Sequence, residues 1–67
     1  MMYDLDVEIH GVTKKGRINV IDNGEIELLL VVMPSGRLVD LTILLACPDI
    51  YNSIEHDWLD YVANLEV

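Results

Sequence analysis

The chain has 67 residues, 52% of them hydrophobic, with 12 Asp plus Glu against 4 Lys plus Arg for a formal net charge of -8. A chain of this length builds one domain, which on folding buries only about 60% of the surface its unfolded state exposes, and the apolar content excludes disorder. The acidity disfavours direct contact with nucleic-acid phosphates or anionic membranes and favours basic partners, and it also keeps a small apolar protein dissolved.

Cys47 is the single cysteine, so no intrachain disulfide forms. The opening Met-Met-Tyr-Asp-Leu-Asp has no basic segment followed by an apolar one, and a signal peptide is not expected. Apolar runs such as Leu28 to Met33 fall far short of the roughly 20 residues that span a bilayer. The expectation is a cytoplasmic protein.

The first expected strand, about residues 2–11, alternates Tyr3, Leu5, Val7 and Ile9 with Asp4, Asp6, Glu8 and His10, one face for a core and one for water. Thr13-Lys14-Lys15-Gly16 reads as the first loop. Pairing Val12 with Arg17 across it sets Ile9 beside Val20 and keeps the apolar positions together. The second strand, about 17–22, ends at Asp22-Asn23-Gly24. A three-residue loop with Gly24 as the bulge residue pairs Ile21 with Glu25 and places Ile18 and Val20 with Ile26 and Leu28.

The third and fourth strands, about 25–33 and 37–46, flank Pro34-Ser35-Gly36, and both are apolar on both faces in their middles. A two-residue Ser35-Gly36 loop aligns Leu28, Leu30 and Val32 with Val39, Leu41, Ile43 and Leu45, whereas Pro34 at the first turn position favours a three-residue loop. The first option leaves a second face of Leu29, Val31, Met33, Leu38 and Leu44, interrupted by Asp40 and Thr42, and these five apolar residues are the expected self-association surface.

Pro48 ends the fourth strand, and Asp49 or Asn52 can cap a helix over about 50–65. Ile50, Ile54, Trp58, Tyr61, Val62 and Leu65 recur at three- and four-residue steps and form its apolar stripe, opposite Ser53, His56, Asp57, Asp60 and Asn64. The expected architecture is α+β: a four-stranded antiparallel β-meander followed by one C-terminal amphipathic helix on one sheet face. The alternative is a small barrel-like curled sheet with the same helix. In the meander, strand 4 is a poorly guarded edge, and pairing with its twin in a dimer would close it.

No catalytic, cofactor-binding or metal-binding residue is assigned. Asp4, Asp6, Glu8 and His10 stand roughly 6.6 Å apart along a strand, too spread to converge within about 2.0–2.6 Å of one ion. His56 lies one helical turn from Asp60, without a nucleophile placed beside them. Cys47 reads as a small buried hydrophobe. Lys14, Lys15 and Arg17 read as a basic patch at a hairpin tip, and the glycines match no phosphate-binding spacing.

The functional expectation is a small acidic, non-enzymatic interaction or regulatory protein. It is a homodimer that binds a basic surface of another macromolecule through Asp4, Asp6, Glu8, Asp57 and Asp60. In style this resembles the accessory or inhibitor proteins of phages and mobile elements, a similarity that covers no motif. The alternative is a purely structural dimerisation or assembly module using the apolar second sheet face. A site between subunits that uses His10 or His56 is the enzymatic or small-ligand alternative.

Overall fold

The computed structural model of the chain describes residues 1–65. Four strands, β1 (Met2–Ile9), β2 (Val12–Val20), β3 (Ile26–Val32) and β4 (Leu38–Asp40), pair in sequence order as one open antiparallel sheet. A short 3-10 helix (Thr42–Ala46) follows, and α1 (Pro48–Leu65) packs across one face. The α+β meander with a C-terminal helix is therefore the fold, and the sheet does not curl into a barrel.

The first hairpin turns earlier than the sequence suggests. Its loop is His10-Gly11, at φ 51° and 78°, and Ile9 pairs with Val12. Positive φ at both central residues marks a type I′ turn, whose twist matches the flanking strands; glycine adopts it freely and histidine more readily than most residues. Thr13-Lys14-Lys15-Gly16 is thus strand, not loop, and Lys14, Lys15 and Arg17 are spread along β2 rather than gathered at a tip. Gly16 lies opposite Leu5, where a Cβ would stand 3.0 Å from a Val7 methyl and 3.2 Å from the Leu30 carbonyl oxygen. Glycine at this point serves close approach between strands.

The Asp22-Asn23-Gly24 loop forms as expected. The Ile21 amide donates to the Glu25 carbonyl, the Gly24 amide donates to the Ile21 carbonyl, and Gly24 sits at φ 85°. Pro34-Ser35-Gly36 repeats the pattern, with the Met33 amide donating to Arg37, Gly36 donating to Met33, and Gly36 at φ 87°. The three-residue option is the observed one.

A β-bulge then changes the fate of β3. Val20 pairs with Ile26 but Asn19 pairs with Leu28, so Glu27 is an extra residue and the alternation shifts by one. Ile26, Leu29 and Val31 face the helix, and the expected partner Leu28 turns to the other side with Leu30 and Val32. The hydroxyl of Tyr51 on α1 accepts the Ile26 amide at 3.0 Å, which ties the start of β3 to the helix.

The expected ten-residue fourth strand is shortened to three residues. Asp40 Oδ1 accepts the Thr42 amide at 2.9 Å and the Thr42 hydroxyl at 2.5 Å, replacing ladder bonds with a local turn. The Leu41 amide still donates to Leu29, after which the chain leaves the sheet edge. Leu41, Leu44 and Leu45 pack against the core, so the long unguarded edge expected of strand 4 does not exist. Cys47 is exposed rather than buried. Pro48 opens the helix instead of only ending a strand, because the first helical position needs no amide donor.

The core consists of Leu5, Val7, Ile18, Val20, Ile26, Leu29, Val31, Ile50 and Ile54. Tyr3 closes one side, its ring set edge-on 6.0 Å from both Trp58 and Tyr61. Ile50 and Ile54 carry the buried part of the helix stripe, whereas Leu65 at its end is exposed.

The crowding at Gly16 makes a test of this register. Gly16→Ala should lower stability by about 1–3 kcal/mol, read as a lower urea midpoint at unchanged slope. An open loop at this position would tolerate alanine or gain from it.

Candidate interaction surface

The outer face of the sheet, away from α1, is built by register. Asp4 pairs with Arg17, Arg17 with Leu30, and Leu30 with Asp40, one row across all four strands. Two residues along, Asp6 pairs with Lys15, and Val32 with Leu38. The face is therefore ordered in columns: acids on β1, bases on β2, Leu28, Leu30 and Val32 on β3, and Leu38 with Asp40 on β4.

The charged columns are held close. Met1 and Val20 exchange backbone bonds, so odd residues of β1 face β2 with hydrogen bonds and even ones form the narrow pairs, in which side chains approach most closely. Arg17 Nε donates to Asp4 Oδ1 at 2.6 Å, and Nη2 lies 3.5 Å from Oδ2. This hydrogen bond, with the guanidinium charge behind it, lowers the Asp4 pKa below the ordinary 3.8 and raises that of Arg17. Hydrogen bonds from Thr42 lower the Asp40 pKa in the same way. Asp4, Asp6, Lys15, Arg17 and Val32 line an open depression of about 320 Å³.

The even residues of β1 point their amides and carbonyls at the free sheet edge, and α1 covers one of them. Asp57 Oδ2 accepts the Glu8 amide at 2.8 Å, and the Ser53 hydroxyl donates to the Glu8 carbonyl at 3.0 Å. These bonds guard the edge against strand addition. Asp57 is thus committed to the fold, while Asp60 stands 3.5 Å from His56 Nδ1 with both side chains exposed.

The expected site residues are accordingly divided. Asp4, Asp6 and Glu8 share the outer face, but Asp4 is neutralised by Arg17 and Asp6 faces Lys15. Asp57 and Asp60 lie on α1, away from that row. Of the expected self-association set, Leu29 and Val31 are fully buried in the core and Leu44 packs against it; the bulge at Glu27 and the early end of β4, followed by the 3-10 helix, put them there. Met33 and Leu38 remain exposed. The apolar residues the outer face does present are Leu28, Leu30 and Val32, which sequence reasoning assigned to the core side. Opposite charges on neighbouring alternating strands, Asp4 and Asp6 against Lys15 and Arg17, were the signal for the register that reveals them.

Among the described residues no three His, Cys, Asp or Glu side chains converge on a point that could hold a metal ion. No helix among them is long and apolar enough to cross a membrane.

The shifted carboxylates give a pH test. Folding lowers the pKa of Asp4 and of Asp40, so their contribution is complete above 3.8 and is lost as pH falls through the folded values. Carboxyl NMR titration should place Asp4 below 3.8, and Arg17→Met should return it towards that value while leaving Asp40 low. In hydrogen exchange, Asp57→Ala should speed the Glu8 amide selectively; equal exchange in both proteins would remove the edge-guarding role.

No protein-family model, curated protein or solved structure matches this chain.

Proposed function

We propose that this chain is a small, non-enzymatic, cytoplasmic interaction protein that works as a homodimer closed through its outer sheet face and offers its remaining acidic surface to a basic partner. One observation carries the reading: Leu28, Leu30, Val32 and Leu38 form a continuous apolar strip on a sheet face that no helix covers among the described residues. An antiparallel sheet with a solvated face ordinarily makes that face polar. A contiguous apolar patch rimmed by charges is the composition of a protein contact.

The acidic role shifts in this reading. Asp4 and Asp6 stand against Arg17 and Lys15 within the sheet, so the uncompensated charge lies on Glu8, on Glu25 and Glu27, and on α1 with Asp60. The same compensation favours the second reading, a purely structural assembly module, because it withdraws the β1 acids from docking and leaves the apolar strip as the working surface.

Light scattering on a size-exclusion column across a dilution series should give twice the 7.6 kDa chain mass, persisting at high salt because the contact is mainly apolar. Leu30→Glu should give a folded monomer. A wild-type monomer at every concentration up to about 1 mM, where association is worth only about 4 kcal/mol, would overturn the reading.

A further inference from the structure

We infer that the second copy packs face to face about a two-fold axis lying along β3 above Leu30, so that Arg17 of each copy meets the partner's Asp40 and the partner's Leu38 enters the depression beside Lys15. This rests on the proposed function and deepens it by fixing the arrangement. The argument comes from the order of the columns across the outer face: acid, base, leucine, then Leu38 with Asp40.

A face-to-face pair related by a two-fold axis in the plane of contact has few ways to place those columns. With the axis across the strands, each column meets itself: Asp4 and Asp6 oppose the partner's acids, and Lys15 and Arg17 oppose its bases. Like charges facing across a contact repel and suppress that pairing, which rejects that arrangement. With the axis along β2, Arg17 meets its twin and the β1 acids press on the partner's leucines. With the axis midway between β2 and β3, Asp4 meets the partner's Asp40.

An axis midway between β1 and β2 would also set Asp4 over the partner's Arg17, but it leaves the leucines of β3 outside the contact; the axis along β3 matches unlike charges and covers those leucines together. It lays Leu28, Leu30 and Val32 on the partner's same strand, sets β2 over the partner's β4, and leaves the β1 acids outside the contact. Rows are preserved by this rotation, and Arg17 and Asp40 share the row of Leu30, so each copy makes the same contact. Val32 and Leu38 share the next row with the depression. Sheets packed this way lie about 10 Å apart with strands about 30° askew, so the axis departs from β3 by about half that angle.

The groups that would meet are free to do so. Arg17 spends Nε on Asp4 and retains guanidinium donors for a second carboxylate. Both bonds from Thr42 fall on Asp40 Oδ1, which leaves Oδ2 for the partner. Leu38 projects with 45% of its surface exposed.

A double-mutant cycle on the dimer dissociation constant tests the arrangement. Asp40→Asn keeps the oxygen that holds Thr42, and Arg17→Met keeps the apolar stem while giving up the exposed bond to Asp4, which lies outside the contact, so both variants remove the charge with the sheet register intact. Each single change should weaken the dimer roughly tenfold, because the contact occurs twice, and the double variant should be no weaker than either single. Losses that multiply to roughly a hundredfold would overturn the axis along β3. If Leu30→Glu and Leu38→Glu still abolish the dimer in that case, the outer-face reading survives without this register. A dimer that persists in both glutamate variants, with native circular dichroism, would overturn the inference and the proposed function together.

Discussion

One helix covers one face of a sheet, and this chain has one helix of eighteen residues to set against four strands. Every other feature answers to that limit. Ile50 and Ile54 join Leu5, Val7, Ile18, Leu29 and Val31 in one core on the inner face, and each such side chain contributes about 1.5–3 kcal/mol on leaving water. Among the described residues the outer face has no such cover, yet it carries leucines and valine in its centre. The two apolar faces are thus treated unequally, one sealed and one open.

The bulge at Glu27 decides which residues serve which face. Without it, Leu28 and Leu30 would join Ile18 in the core and Leu29 and Val31 would point outward. With it, the sets exchange while Ile26 stays inside. The hydroxyl of Tyr51 holds the Ile26 amide beside the bulge, so a residue of the helix helps to fix the face that the helix itself does not touch. Core and outer face are therefore coupled through one local irregularity.

Charge plays two parts. Within the sheet, Asp4 and Arg17 are an exposed cross-strand pair, worth little to stability but informative about register. Along the free edge, Asp57 and Ser53 satisfy the amide and carbonyl of Glu8, so α1 caps the edge of β1 at one end and the strand's own acids guard the rest. At the opposite edge, β4 is cut short by Asp40 and Thr42 before it can present a long unpaired ladder. With both edges managed in this way, the outer face is the apolar surface of the sheet that the described residues leave uncovered.

What the sequence determined by itself is local in origin. Period-two alternation in Tyr3 to Ile9, the glycine of Asp22-Asn23-Gly24, and the helical stripe from Ile50 were each legible because they depend on residues near one another in the chain. They were enough to establish a four-stranded meander followed by a helix. The tertiary structure decided the rest. It chose His10-Gly11 over Thr13-Lys14-Lys15-Gly16 for the first turn, inserted the bulge at Glu27, and ended β4 at Asp40. In each case two local readings differed little in propensity, and the choice fell to contacts made across the sheet: Val7 over Gly16, Asp4 on Arg17, and Tyr51 on Ile26. Because strand side chains alternate with a period of two, a one-residue difference reverses the facing of everything beyond it. The composition could show that an apolar surface would be left over, but only the bulge at Glu27, fixed by pairing across the sheet, determined which leucines form it.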